Sequence, residues 1–403
     1  MSKENRGISR RALLKGLGMG GVGSLILSTE KLGFGAEGAS EPVVPTRSFG
    51  KTGVRVSALS LGGMFDIPNN QLLLRQALTW GVTYWDTADC YGGGRSEEGI
   101  GKFFSRTPDA RKRVFLVTKS DRRDPQGMTE LLERSLQRMN TDYIDCYLIH
   151  GLSDIDEVDE KTRRWVEKEK SRGRIHLFGF STHRNMERCM MGAARLGWID
   201  GIMMSYNFRL MHNEDMKAAV TACVDGGIGL TAMKTQGGGS VRTESEAELA
   251  LAGRFVKAGY TDKQAKLKAV WENPHIASIC SQMPSLTTLM SNVTAATDQK
   301  QLSYEEKRHL HRYARETAFS YCAGCAERCE PAIDRAVPIS DVMRSLMYCR
   351  SYGEYERGKE LFTRLSGVSE DRLKQIDFSP AEAECPQRLK IGQLMQEAAT
   401  LFA

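Results

Sequence analysis

The stretch "RVFLVTKS", at residues 113–120, is a short apolar run rich in β-branched and aromatic side chains. An amphipathic segment with an acidic start, "MTELLERSLQRMN" at residues 128–140, follows it, and a second apolar run, "YIDCYLIHG", occupies residues 143–151. Apolar residues at helical spacing predict a helix, and near-continuous apolar runs are typical of parallel strands buried on both faces. These residues therefore predict a strand–helix–strand unit.

The same alternation continues on both sides of this unit. In all, eight runs have strand character, namely VSALSLGG, VTYWDTAD, RVFLVTKS, YIDCYLIHG, IHLFGFSTH, GIMMSYNF, IGLTAMKT and IASICSQM. Eight strand–helix units predict an α/β protein, a (β/α)8 TIM barrel of about 250 residues, which we assign to residues 44–300. A doubly wound sheet is disfavoured because the first run continues as "LGGMFD" and not as a glycine-rich phosphate loop that opens a long helix. The segment "TRSFGKTGVRV", at residues 46–56, predicts a hairpin that plugs the lower end of the barrel.

The overall composition is that of a globular protein, with 41% hydrophobic and 26% charged residues. The net charge of +6 is spread along the chain and forms no basic stripe, which argues against a nucleic-acid partner. No run reaches the roughly 20 consecutive apolar residues of a membrane-spanning helix. We therefore expect no integral membrane segment.

The first residues have the layout of an export signal. An arginine pair in "SRRALLK" precedes the mildly apolar run "GLGMGGVGSLIL", and small residues follow in "FGAEGAS". This order predicts a twin-arginine export signal at residues 1–39 and hence a periplasmic location. The alternative is a cytoplasmic protein with a basic, disordered start.

Polar side chains stand where the predicted strands end, which is where (β/α)8 barrels carry their active sites. Asp86 lies at the end of the second run and Tyr91 just beyond it. Lys119 and His150 end the third and fourth runs. We expect these four side chains to point into one barrel mouth.

These motifs resemble those of the aldo-keto reductase family. "WDTADCYG", "FLVTKS", "YIDCYLIHG", "FGFST" and "SYNF" stand in the order and at the spacing of that family, over residues 46–293. The resemblance implies a nicotinamide-dependent oxidoreductase that transfers hydride between a carbonyl and an alcohol of a small molecule. The alternative is a non-catalytic member that serves as a binding or electron-transfer subunit.

The resemblance gives each rim residue a role. Tyr91 would protonate the substrate oxygen, although an ordinary phenol has a pKa near 10. The Lys119 ammonium is expected to lower that pKa, and Asp86 to hold Lys119 charged and in place. His150 would donate a hydrogen bond to the substrate carbonyl.

The resemblance also implies cofactor contacts. It assigns Gly62, Gly63 and Met64 to the first loop beside the substrate, Ser181 to the nicotinamide amide, and Tyr206 to stacking under the nicotinamide ring.

The sequence departs from the family at other cofactor positions. Met203 replaces a usual glutamine, and Thr182 replaces a usual asparagine. Gln282 and Thr288 stand where members that prefer NADPH carry basic residues for the ribose 2′-phosphate. The choice between NAD and NADP therefore stays open.

Residues 303–403 carry no strand pattern and predict a separate helical domain. Within it, Cys322, Cys325 and Cys329 are spaced C-x2-C-x3-C, and Cys385 precedes a proline. A [4Fe–4S] cluster of the ferredoxin type takes three close cysteines and a distant one before proline. The motifs "YCAGC", "VPISDVMRSLMY" and "AECPQRLKIGQLM" resemble the ferredoxin-like tail of a subset of aldo-keto reductases.

We therefore predict one [4Fe–4S] cluster on these four cysteines, and with it a redox partner protein. Four cysteines could equally bind zinc, or remain free or disulfide-paired. Cys349 is a spare thiol for any of these schemes.

Overall fold

The computed structural model describes residues 42–238, 246–318 and 321–402, and the predicted export signal lies outside them. Its centre is a closed barrel of eight parallel strands in the order β10-β3-β4-β5-β6-β7-β8-β9. The strands are β3 (Leu59–Gly62), β4 (Tyr84–Asp86), β5 (Phe115–Ser120), β6 (Ile144–Ile149), β7 (Ile175–Thr182), β8 (Gly201–Ser205), β9 (Gly229–Met233) and β10 (Ile276–Gln282). The predicted (β/α)8 barrel is confirmed, with one strand in each predicted run.

A two-stranded hairpin closes the lower end of the barrel. It pairs β1 (Thr46–Ser48) with β2 (Arg55–Ser57) in antiparallel fashion. The buried Phe49 ring, in the turn between these strands, enters the barrel from below. Gly201 and Gly229 begin their strands beside it, and a Cβ at either position would lie 2.6 Å or 2.5 Å from the Phe49 ring. Glycine is therefore required where the plug meets the strands.

Helices surround the barrel between successive strands. They are α1 (Gln71–Thr79), α2 (Arg95–Arg106), α3 (Pro125–Met139), α4 (Glu160–Ser171), α5 (Met186–Leu196), α6 (Glu214–Asp225), α7 (Glu246–Lys257), α8 (Asp262–Trp271) and α9 (Leu286–Thr297). Polar residues set their starts. The Asp124 side chain accepts a hydrogen bond from the Gly127 N–H, and proline stands in the first turn of α3. This cap starts α3 before the segment that periodicity alone predicted.

Strand alternation divides the barrel residues into two layers. The side chains of Tyr84, Phe115 and Val117 pack inside the barrel. Those of Trp85 and Leu116 pack outside it, against the helices. Because strand side chains alternate, the residues two positions beyond Tyr84 and Val117 also face the interior. These residues are Asp86 and Lys119.

The C-terminal region is helical. Its helices are α10 (Tyr304–Glu316), α11 (Ala326–Cys329), α12 (Ile339–Tyr352), α13 (Tyr355–Thr363), α14 (Glu370–Gln375), α15 (Ser379–Ala383) and α16 (Ile391–Phe402). From α11 onward they enclose an apolar core of their own, which includes Leu346, Phe362 and Phe402. The predicted helical character of this region is confirmed. Among the residues described, no helix has the length and apolar character needed to cross a membrane.

Candidate active site

Four polar side chains meet at the upper mouth of the barrel. Asp86 ends β4, and Tyr91 begins a short 3-10 turn, Tyr91–Gly94, just after it. Lys119 lies near the end of β5, and His150 directly follows β6. The structure thus brings together the four residues that the sequence pointed to.

A buried ion pair forms the base of this group. Lys119 Nζ lies 2.7 Å from Oδ1 of Asp86 and donates a hydrogen bond to Oδ2 at 2.8 Å. Nζ also donates to the Thr87 carbonyl at 2.7 Å. The two side chains are only 1% and 3% exposed. Burial alone would lower the pKa of Lys119, but the charges of Asp86 and Tyr91 outweigh burial and raise it. Lys119 is therefore an ammonium at any physiological pH.

Tyr91 is the next member of the chain of contacts. Lys119 Nζ donates to the Tyr91 hydroxyl at 3.3 Å. Burial raises the pKa of Tyr91, Lys119 lowers it, and Asp86 raises it again, so that the pKa lies above the ordinary value. Lys119 thus acts in the expected direction, but burial and the paired carboxylate outweigh the ammonium. The consequence is a phenol that keeps its proton near neutral pH.

His150 is oriented by a carboxylate that the sequence reasoning missed. Its Nδ1 lies 2.7 Å from Oδ1 of Asp121, and the Cys90 thiol lies 3.6 Å away. An ionised carboxylate only accepts hydrogen bonds, so Nδ1 must carry the proton in this contact. Asp121 stands two residues after Lys119, at the tip of the same strand. This position in the sequence could have identified it as a residue of the barrel mouth. The Tyr91 and His150 rings meet edge to face, with 5.7 Å between their centres.

A cleft of about 960 Å³ opens above these residues. One wall comes from the barrel mouth and includes Tyr91 and His150. The other wall comes from α12 and α13 and includes Arg344, Tyr348 and Arg357. A smaller cleft of about 550 Å³ beside the lower hairpin contains none of the four mouth residues. The C-terminal helices are thus part of the candidate site.

Ionic contacts join the C-terminal region to the barrel, and the most buried of them involve Arg184. Arg184, which follows β7, contacts Glu330 at 2.6 Å and Asp341 at 2.8 Å. The Asn185 N–H donates to the Gly324 carbonyl at 2.8 Å. Gly324 has φ of +83°, and a Cβ there would lie 2.3 Å from the His183 carbonyl oxygen. The loop that holds the first cysteines is therefore docked on the tip of β7.

This combination of barrel, ion pair and phenol agrees with the sequence comparison. A sequence profile of the aldo/keto reductase family matches residues 59–284, which is more than half of the chain. The chain belongs to the aldo/keto reductase family. Members of this family are NAD(P)-dependent oxidoreductases.

Individual aldo-keto reductases match parts of the chain. The aldo-keto reductase yakc of Schizosaccharomyces pombe, whose name specifies NADP(+), is 32% identical over 156 residues, 34% of this chain and 45% of that protein. The uncharacterized oxidoreductase YqkF of Bacillus subtilis is 33% identical over 153 residues, 34% of this chain and 49% of that protein. The chain thus spans about half the length of these curated relatives.

A solved aldo-keto reductase also shares the fold. The holo form of AKR11C1 from Bacillus halodurans superposes with a TM-score of 0.58 at 23% identity, over 71% of this chain and 99% of that one. At this level of identity the likeness supports the fold alone.

Most of the cofactor positions implied by the family lie at the barrel mouth. The Gly63 N–H donates to the Asp86 carbonyl at 2.7 Å, and a Cβ at Gly63 would lie 2.7 Å from the same oxygen. Gly62 ends β3, and Met64 lines the cleft. The Ser181 hydroxyl accepts from the Gly151 N–H at 3.0 Å, beside His150, and keeps its own proton to donate.

Tyr206 lies elsewhere. Its ring packs with Ile202 and Met204 in the layer between barrel and helices, and its hydroxyl accepts from Asn273 at 2.9 Å. A ring on this side of β8 cannot stack under a nicotinamide in the barrel mouth, so the predicted stacking role is contradicted. The signal was present in the strand alternation, because Met203 faces the interior and its neighbours face out.

The four cysteines of the predicted cluster are close to one another. Cys322 and Cys325 precede α11, Cys329 ends it, and Cys385 follows α15, a helix that packs against α11. Burial raises the pKa of Cys322, and the charges of the three other thiols raise it further. These residues therefore form one group of thiols where α11 and α15 meet.

Proposed function

We propose that this chain reduces the carbonyl of a small molecule with NADH or NADPH, or oxidises the corresponding alcohol. The observation that supports this proposal is the buried contact series Asp86–Lys119–Tyr91, which ends in a phenol on the cleft wall. Membership of the aldo/keto reductase family supports the same reaction class. The bound cofactor would supply the hydride that the carbonyl carbon receives.

The protein's own residues would manage the proton. Tyr91 holds its proton near neutral pH and gives it to the substrate oxygen as the alcohol forms. The phenolate left behind is stabilised by Lys119, whose Nζ is 3.3 Å away. Asp86 keeps that ammonium in position. His150 donates from Nε2 to the same substrate oxygen, and because Nδ1 already donates to Asp121, this requires the doubly protonated ring.

Substitution of the phenol tests the reaction. Tyr91→Phe removes the proton donor and leaves the ring packing in place. We expect the rate of carbonyl reduction to fall by at least about 100-fold, the range for loss of a general acid. Circular dichroism should show an unchanged fold. Activity within threefold of the wild type would remove the proposed role of Tyr91.

The cofactor itself is tested by binding. A Cβ at Gly62 would lie 3.2 Å from the backbone of Ser281 and Gln282, so this glycine permits the close packing of β3 on β10. The Gln282 amide donates to the Met64 carbonyl at 2.7 Å and, being uncharged, cannot pair with a 2′-phosphate as a base would. Parallel fluorescence titrations with NADH and NADPH measure the preference.

A second function is a non-catalytic electron-transfer or binding subunit. The outward position of Tyr206 favours it, because the stacking aromatic implied by the family is then missing from the mouth. Absence of binding by both NADH and NADPH would support this second function over the first.

We also propose that Cys322, Cys325, Cys329 and Cys385 hold one [4Fe–4S] cluster, which would pass electrons to a partner protein. Four neighbouring thiols suit iron–sulfur or zinc chemistry. A distant fourth cysteine followed by proline, Cys385, is the arrangement of ferredoxin-type ligands and supports the cluster over zinc.

Anaerobic purification tests this cluster. We expect absorbance near 400 nm with iron and sulfide in equal amounts, lost in Cys385→Ser and kept in Cys349→Ser. Zinc without iron in the wild-type protein would overturn the proposal.

We further propose twin-arginine export to the periplasm, with folding completed in the cytoplasm. Cell fractionation of the wild type and of a variant with Arg10→Lys and Arg11→Lys tests it, and equal distribution of the two would contradict it.

A further inference from the structure

The two walls of the cleft differ in origin. On the barrel side, the described lining residues follow strands β3 to β7. They include Tyr91, Asp121, His150, His183 and Arg184. The tips of β8, β9 and β10 contribute no described residue to this lining. The opposite wall belongs to α12 and α13. A molecule in the cleft therefore contacts the proton donor on one side and the C-terminal helices on the other.

The helical wall presents two arginines whose acidic partners are weak. Arg344 lies 3.4 Å from Asp341, but that carboxylate makes its closer contact, at 2.8 Å, with Arg184. A guanidinium nitrogen of Arg344 lies 3.0 Å from Nδ1 of His183, which is a neutral neighbour because burial and the nearby cations lower its pKa well below the ordinary value. Among the residues that the structure describes, Arg344 is in ion-pair range of Asp341 alone, and Asp341 also pairs with Arg184.

Arg357 is held by an aromatic ring more than by an acid. Its Cζ lies 4.4 Å from the centre of the Tyr348 ring, and its closest carboxylate, on Glu354, is 3.8 Å away. The Arg357 Nε is buried and has no hydrogen-bond acceptor among the described residues. Arg357 therefore makes no ion pair shorter than 3.8 Å with any described residue.

A lysine lies close to these arginines. Lys234 follows β9 with a φ of +54°, and its Nζ lies 5.9 Å from the centre of the same Tyr348 ring. Within residues 42–238, 246–318 and 321–402, no carboxylate lies within ion-pair distance of this amino group. Arg344 and Arg357 are the charges that act on it most strongly, and both repel it.

The other acids that line the cleft have partners of their own or lie at its edge. Asp121 is paired with His150, and Glu360 is paired with Arg364. Glu356 is exposed at the rim. Arg344 and Arg357 are therefore two guanidiniums in the cleft wall whose own carboxylate contacts, at 3.4 Å and 3.8 Å, are long.

We propose that the cleft binds an oxo acid, with its carboxylate on Arg344 and Arg357 and its carbonyl at Tyr91 and His150. Guanidinium groups match the planar carboxylate with paired N–H donors. This inference rests on the proposed carbonyl reduction for the role of the mouth residues, but the anion site can be tested without turnover.

Binding of succinate by calorimetry at low ionic strength tests the anion site alone. Arg344→Gln and Arg357→Gln should each weaken binding at least tenfold. Arg350→Gln, on the same helix but paired with Glu397 away from the cleft, should stay within twofold. Equal binding by all four proteins would overturn the proposal. Inorganic phosphate as a second probe separates a phosphate site from a carboxylate site, and tighter binding of phosphate would overturn the carboxylate assignment.

Turnover then tests the substrate class. The protein is assayed with oxo acids of three to six carbons, each with an aldehyde of matched length that lacks the carboxylate. We expect kcat/KM at least tenfold higher for the best acid than for its aldehyde, and parity in Arg357→Gln. If the wild type has equal kcat/KM for acid and aldehyde and does not bind succinate, the anion site is overturned and the proposed carbonyl reduction is unaffected. If succinate binding depends on the arginines but no compound is turned over, the proposed reaction is overturned and the anion site is supported.

Discussion

Two lysines near the barrel mouth have opposite electrostatic surroundings. Lys119 faces Asp86 at 2.7 Å, and the nearby negative charges raise its pKa. Burial lowers the pKa of Lys234 to about 7, and the charges of Arg344 and Arg357 act in the same direction. An amino group thus serves as a fixed cation in one place and as a group that titrates near neutral pH in the other. The difference comes from which charged side chains surround each lysine.

The pKa of Lys234 predicts how stability depends on pH. Below about pH 7 the lysine is charged in both the folded and the unfolded chain, so its unfavourable burial is fully present. Between about pH 7 and the ordinary value of 10.5, the folded chain has lost this proton and the unfolded chain still holds it. The unfolded chain therefore binds more protons in this range, and the free energy of unfolding rises with pH through this group. The groups around it are Arg344, Arg357, Asp341 and Tyr348.

Urea unfolding of the wild type and of Lys234→Met from pH 6 to 10 measures this effect. We expect the free energy of unfolding of the wild type, relative to that of the variant, to increase as pH rises above 7. Below pH 7 the difference between the two should stay constant. Lys161→Met, an exposed change on α4, should track the wild type at every pH. Parallel curves for wild type and Lys234→Met would contradict the lowered pKa.

At the scale of elements, local pattern was enough to predict the barrel. Strands β5 and β6 lie inside the runs at residues 113–120 and 143–151, because a strand buried on both faces needs a continuous apolar run. The barrel in turn predicted which rim residues would meet, since parallel strands all end at the same mouth. Asp86, Lys119 and His150 could be placed without any coordinates for this reason.

One wrong assignment and one feature that was not predicted have separate physical causes at this scale. Tyr206 was assigned to the mouth although alternation along β8 turns it toward the helices. The alternation of side chains along β8 can be read from the sequence, whereas the resemblance to the family gives only the position of the aromatic residue. The position of α12 and α13 is different, because their own apolar pattern serves the C-terminal core and does not say where that core docks. One contact that docks it joins Arg184 to Glu330, 146 positions further along the chain.

At the scale of the whole molecule, the cleft exists only while the helical region is docked on the barrel, because each region supplies one wall. Tyr91 and Arg357 lie on opposite walls. The cysteine loop is held by the same tip of β7, through Asn185 and Gly324. Events at the proposed cluster and at the proposed substrate site therefore share one junction. A change at this junction should affect both.

Arg184→Met tests this junction. It leaves Glu330, which is 3% exposed, buried without its cation, and breaking a buried pair costs about 3–5 kcal/mol. Since the loss falls at the docking contact, we expect α12 and α13 to lose amide hydrogen-exchange protection before the barrel strands do. Adding Glu330→Gln to Arg184→Met should recover part of the stability, because it removes the unpaired charge. Arg195→Met, an exposed change on the neighbouring α5, is the control. Equal unfolding energies and equal exchange for Arg184→Met and Arg195→Met would show that the helical region is held to the barrel by other contacts.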